Sequence, residues 1–158
     1  MAKVRTCLWF AADAEQAARR YVSLVPGSRV EHVHRAPGPW PGGQAGDAIV
    51  VDFTLGGQAY QALNGGSRAD YGTAASISVS CADQAEVDRM WSALLEGGGA
   101  EIQCGWLRDP WGVPWQIVPE VLPRLLDHED RAVARRFFEA MQSMVKIDVA
   151  DIGRAAKG

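Results

Sequence analysis

The sequence predicts an α+β fold of two β-α-β-β-β modules followed by a helical tail. Three observations predict it. A strand, a capped helix and a glycine stop recur after a shift of 70 residues, each helix precedes three short strand-like runs, and the chain beyond Leu122 carries helical periodicity. The shift pairs Asp13 with Asp83, Gln16 with Glu86, Tyr21 with Trp91, Leu24 with Leu94, Gly27 with Gly97 and Thr6 with Ser76.

In the first module, Val4 to Ala11 reads as a strand, with Cys7, Trp9 and Ala11 on one face and Thr6, Leu8 and Phe10 on the other. Asp13 is the expected cap of the following helix, with Gln16 completing a capping box. Ala14, Ala17, Ala18, Tyr21, Val22 and Val25 form its apolar stripe, and Pro26-Gly27 ends it. Ser28 to Arg35 is a second strand, residues 36–47 a Pro- and Gly-rich loop around Trp40, and Ile49 to Leu55 and Gln58 to Leu63 a hairpin over Gly56-Gly57.

The second module starts at Ala75 to Cys81, where Ser76, Ser78 and Ser80 share one face and Ile77, Val79 and Cys81 the other. Its helix, 84–96, presents Val87, Met90, Trp91, Leu94 and Leu95 to a core. A short strand near Glu101 to Cys104 leads into CGWLRDPWGVPWQIVP, residues 104–119, read as strands 104–108 and 113–118 around an Asp-Pro-Trp-Gly turn. In the tail, Asp130 opens a helix from Arg131 to Val145 whose Val133, Phe137, Phe138, Met141 and Met144 pack on the sheet or on another subunit, and Asp148 caps a last short helix.

Composition narrows the function classes. The chain of 158 residues is 47% apolar and 22% charged with a net charge of −3, the profile of an ordinary globular protein. No basic run supports nucleic-acid or anionic-membrane binding. The opening MAKVRTCLWFAADAEQ meets acidic residues before any long apolar core, so neither a signal peptide nor a spanning helix is expected, and a cytoplasmic location is. Cys7, Cys81 and Cys104 are widely spaced and expected as small buried hydrophobes.

The paired modules, LNGG at residues 63–66, the Trp-rich run at 104–119 and MVKIDVADI in the tail resemble the PhnB-like family of the vicinal oxygen chelate superfamily, whose members are often labelled 3-demethylubiquinone-9 3-methyltransferase-like. The superfamily includes glyoxalase I, extradiol dioxygenases, and bleomycin and fosfomycin resistance proteins. The resemblance implies a single such domain over residues 1–120, with module one at 3–66, module two at 74–119 and a helical extension at 121–158. It also implies a curled mixed sheet around a cavity that holds a small ligand, often with a divalent metal, and a homodimer.

Carried over residue by residue, the metal-ligand positions of the superfamily fall on Thr6, Ser76 and Gln116, with Gln61 or Asn64 on the module-one return strand. Hydroxyls and amides stand where imidazoles and carboxylates would bind a metal, so no metal and no other cofactor is expected. The expected function is metal-free binding of a small molecule in a pocket lined by Thr6, Asn64, Ser76, Trp106, Trp115 and Gln116, with the loop at Trp40 as a lid. The alternatives are a metal-dependent glyoxalase- or dioxygenase-type enzyme and a structural dimer without ligand. The methyltransferase label is disfavoured, because no glycine-rich turn joins a strand to a helix in a parallel sheet.

Other candidates read as structural. His32 and His34 point the same way on a polar edge strand without a third ligand, and His128 reads as surface. Asp109 is expected to cap its own turn, and Asp52 and Glu101 to be isolated surface carboxylates.

Overall fold

The computed structural model describes residues 2–157. The described residues form eight strands and five helices in the order β1 (Thr6–Phe10), α1 (Ala14–Leu24), β2 (Arg29–Arg35), β3 (Ala48–Leu55), β4 (Gln58–Asn64), β5 (Ile77–Cys81), α2 (Gln84–Leu95), β6 (Ala100–Glu101), β7 (Trp106–Arg108), β8 (Pro114–Pro119), α3 (Val121–Leu126), α4 (Arg131–Gln142) and α5 (Val149–Lys157). Contacts group the chain into two units, residues 1–70 and 71–158, with the tail belonging to the second.

Each unit contains one mixed sheet of the same topology, β1-β4-β3-β2 in the first and β5-β8-β7-β6 in the second. In both, the opening strand pairs in parallel with the closing strand across the intervening helix. The repeat expected from the sequence is therefore present, and so is the α+β class.

In unit one, α1 packs Ala14, Ala17, Ala18 and Tyr21 onto Leu8, Phe10, Val51, Phe53 and Ala62, all buried. The Gly56-Gly57 turn joining β3 to β4 has positive φ at both glycines, 54° and 85°, the twist that a two-residue hairpin needs. In unit two, Val87, Met90, Trp91 and Leu94 of α2 cover Ile77, Cys81, Leu107, Trp115 and Ile117.

The capping differs between the modules. Asp83 accepts the Glu86 N–H at 2.9 Å and Glu86 accepts the Ala82 N–H at 2.9 Å, satisfying the exposed donors at the start of α2. Asp13 makes no such bond. Instead Asn64, at the end of β4, accepts the Ala14 N–H at 2.8 Å and donates to the carbonyls of Ala12 (3.0 Å) and Ala48 (2.9 Å). The expected Asp13–Gln16 box is replaced by a long-range amide clamp.

This substitution has a geometric origin. The last residue of β1 lies four positions before the first of α1, whereas β5 and α2 are separated by three. The helices thus repeat at 70 residues while the strand ends Phe10 and Cys81 are 71 apart, and Asp13 stays at the N-cap position, with a φ of −103° and a ψ of 15° and no side-chain cap bond.

The tail is knitted to the second sheet. Helix α4 stops at Gln142, short of the expected Val145, because the Met144 and Val145 carbonyls accept the N–H groups of Cys104 and Gly105, each at 2.8 Å. The same contact removes residues 104–105 from the expected strand, and Cys104 takes a left-handed φ of 60°. Phe137, Leu122, Ile147 and Ile152 then form a small core against which Val118 of β8 packs. Phe138, expected in the apolar stripe, is exposed.

The expectation for cysteines holds only for Cys81, which is buried; Cys7 is exposed and Cys104 partly so. Burial raises the Cys81 thiol pKa to about 11, with the Glu86 charge adding to it, and partial burial also raises that of Cys7. No described helix is long and apolar enough to cross a membrane.

The capping contrast gives a stability test. Asp83→Ala should cost about 1 kcal/mol and Asp13→Ala less than about 0.5 kcal/mol in urea unfolding, despite their equivalent sequence positions. Asn64→Ala should cost about 2–4 kcal/mol, since it removes a cap and leaves the buried Ala48 carbonyl and the partly buried Ala12 carbonyl without their donor.

Candidate functional site

The hairpin that opens toward the site is held by Asp109. This buried carboxylate accepts the N–H groups of Trp111 and Val113 through Oδ1 and the indole N–H of Trp115 through Oδ2, each at 3.0 Å. Asp109 caps its own turn, as the sequence suggested, and also anchors the largest side chain of the second core. Trp115 is wholly buried under α2, so its expected place on a pocket wall is revised. Alternation along β8 sends Trp115 and Ile117 to the core and Gln116 and Val118 to the opposite face.

On that opposite face Gln116 Nε2 donates to Ser76 Oγ at 2.8 Å. Ser78 is the direct partner of Gln116 in the β5–β8 ladder, and the half-buried Trp106 is its partner in β7. Directly paired residues share a sheet face, so Ser76, Ser78, Ser80, Trp106 and Gln116 form one polar and aromatic surface within the second unit. Gln116 Oε1 has no protein partner among the described residues and is open as an acceptor.

The corresponding face of unit one is set by the strand offset. Leu8 and Phe10 are buried beneath α1, which puts Thr6 on their side of the strand and Cys7 and Trp9 on the other. The counterpart of Ser78 is thus Cys7, and Thr6 lies on the α1-facing side. Cys7 pairs with Gln61 as Ser78 pairs with Gln116. Asn64 lies on the buried face, with its amide engaged by three backbone groups.

Gln61 in turn donates to Asp52 Oδ1 at 2.9 Å. Arg5 Nη1 donates to the same oxygen at 2.6 Å, and His34 Nε2 lies 3.0 Å from Asp52 Oδ2. Asp52 is therefore the hub of a partly buried network and not an isolated surface group. Burial would raise its pKa, but hydrogen bonds from His34, Gln61 and Arg5, together with the Arg5 charge, hold the carboxyl below its ordinary range. Glu101 is also partnered, accepting the Trp91 indole N–H at 2.9 Å. These contacts join residues far apart in sequence; the one local signal was an acid on the polar face of an otherwise apolar β3.

Trp40 forms a tight turn with Gly43, and its ring rests against Gly42. Its indole Nε1 is buried without a hydrogen-bond partner. The LNGG segment supports this loop: Gly66 packs on Gly42, and a Cβ at Gly65 would fall 1.7 Å from the Trp9 ring.

The site residues do not fit a divalent metal. Among the described residues no group of three or more His, Cys, Asp or Glu is placed to hold one, and the positions expected for metal ligands, Thr6, Ser76, Gln116 and Gln61 or Asn64, offer only hydroxyls and amides. Neutral hydroxyl and amide donors bind first-row divalent ions poorly, and the Cys7 thiol is held protonated by its raised pKa.

Comparison with known proteins agrees with this architecture. The sequence pattern of the family described as 3-demethylubiquinone-9 3-methyltransferase matches residues 2–118. The chain belongs to that family, which is the PhnB-like family that the sequence resembles. A PhnB protein from Bacillus cereus is similar in structure with a TM-score of 0.66 and 29% identity, over 75% of this chain and 99% of that one. Protein PA1353 of Pseudomonas aeruginosa shares the fold at 20% identity with a TM-score of 0.62, over 76% and 98% of the respective chains. Among curated proteins none is significantly similar in sequence.

The Asp52 hub gives a pH test of the PhnB-like chain. Its carboxyl is depressed in the fold, so its contribution is complete above the unfolded aspartate range near about pH 4 and is lost as pH falls through the lower folded value. The stability advantage of the wild type over Asp52→Asn, read from urea midpoints, should be constant from pH 7 to about pH 5 and shrink below about pH 4. An advantage that grows on acidification contradicts the assignment.

Proposed function

We propose that this PhnB-like protein binds a small organic molecule without a metal, using the face that carries Gln116. The observation that carries the reading is the Gln116–Ser76 hydrogen bond, which holds the amide on a partly buried surface beside Trp106 and directs its carbonyl oxygen outward. An aromatic flank with a few oriented polar groups suits a ligand that stacks and donates one hydrogen bond, such as a phenol or an aromatic alcohol. A metal-dependent lyase or dioxygenase would instead need imidazole and carboxylate donors at these positions.

The methyltransferase description of the family does not extend to a cofactor site by the same reasoning. A nucleotide-type methyl donor needs a glycine turn between strand and helix, and the two such turns here are Ala11-Ala12-Asp13 and Ala82-Asp83. The reading takes the protein as a cytoplasmic homodimer, which light scattering on the purified chain would test.

The experiment is a binding screen of small phenols by native mass spectrometry and thermal shift. Gln116→Ala and Ser76→Ala should each weaken a phenolic hit about tenfold while changing stability by less than about 1 kcal/mol. Variants that bind every hit as tightly as the wild type would overturn the proposal.

A further inference from the structure

The helical tail meets the second sheet beside the strand that brings Trp106 to the Gln116 face. Cys104 and Gly105, which lead into β7, donate their N–H groups to the Met144 and Val145 carbonyls at 2.8 Å each, and the Gln103 side chain donates to the Gln142 carbonyl at 2.9 Å. The Gly105 carbonyl in turn accepts the Ile117 N–H at 2.8 Å. Gly105 is thus held between the tail and β8, next to Trp106 in the chain and bonded to the residue after Gln116.

That junction leaves the backbone little freedom. Gly105 has a left-handed φ of 79°, and a Cβ there would fall 3.0 Å from the Ile117 carbonyl oxygen and 3.0 Å from Cγ1 of Ile147 in the tail. Cys104 takes a φ of 60°, a costly conformation for a residue with a side chain, which persists only where its surroundings fix it. The tail that fixes it is itself anchored to α2. Gln84 donates to the Ile147 carbonyl at 3.2 Å and accepts the Val149 N–H at 2.8 Å, and Lys146 pairs with Asp88. Val118, two residues beyond Gln116 and on the same face, packs against the tail core.

We propose that the tail is a positioning element of the binding face: segment 142–147 fixes the two left-handed residues before β7 and so sets Trp106 beside its ladder partner Gln116. Docking of the tail and binding of a ligand on that face then favour each other, because an undocked tail releases the turn that places Trp106. Gln84 and Ile147 act through the tail and touch no ligand. This role rests on the Gln116 face being the binding surface, and it brings in the chain beyond residue 118, where the family pattern ends.

Two measurements on the full chain test this. Without ligand, Gln84→Ala and Ile147→Val loosen the tail from outside the face, the second by removing a single methylene from a buried core so that the fold is kept. The Trp106 indole and Gln116 side-chain amide signals should shift in nitrogen-15 NMR spectra of both variants, while the indole signals of Trp9 and Trp40 in the first unit stay in place. With phenol at about ten times its dissociation constant, hydrogen exchange at the Gly105 and Val149 amides should slow about tenfold, although Val149 is bonded to α2 and not to the face. Unchanged Trp106 and Gln116 signals in both variants would overturn the proposal whether or not phenol binds. Gln116-dependent phenol binding with unaltered exchange at Val149 would also overturn it and leave the binding reading standing. Absence of any phenol binding would sink the binding reading instead, and the ligand-free spectra would then decide the role of the tail.

Discussion

The constraint on which the rest depends is the parallel pairing of the first strand of each module with its last. Such a pair cannot be closed by a tight turn; the helix and two further strands must intervene, and this sets the β-α-β-β-β order. The pairing also fixes which side chains meet on the sheet face away from the helix. In the first module it places Cys7 beside Gln61, and in the second Ser78 beside Gln116. The chemistry available to the protein follows from those four residues more than from any local motif.

Each glutamine is oriented by a different neighbour. Gln61 faces a carboxylate, which accepts only, so its amide nitrogen must point at Asp52. Gln116 faces a serine hydroxyl, which can accept or donate, and its orientation is set more weakly. Arg5 and His34 complete the first arrangement by keeping Asp52 ionised. The two modules thus share a backbone plan while offering different polar surfaces, one charged and networked, the other neutral and aromatic.

Much of the fold was legible because it is written in local periodicity. The helices, the glycine hairpin, the Asp-Pro-Trp-Gly turn and the 70-residue repeat all rest on residues close in sequence. The errors came where one residue changes parity or where partners are remote. A single additional residue between β1 and α1 puts Thr6 on the α1-facing side of its strand and leaves Asp13 at the N-cap without a side-chain bond, and period-2 alternation makes such a slip decisive. Nothing near Asn64 in the sequence indicates that it serves a helix 50 residues earlier. Likewise Trp115 looked like a pocket residue until its indole N–H was found on Asp109. Ser76, Trp106 and Gln116 did come together on one face as the alternation of their strands required.

The family relationship and the donor chemistry point in different directions, and that tension is the centre of the account. The sequence resembles a superfamily noted for metal centres, yet the positions expected for its ligands, Thr6, Ser76, Gln116 and Gln61 or Asn64, carry only hydroxyls and amides. Elemental analysis of protein purified from cells without chelator tests this most directly. The account predicts divalent metal far below one equivalent per chain, unchanged in a Gln116→Ala variant. One equivalent of a single divalent ion, lost on that substitution, would contradict it.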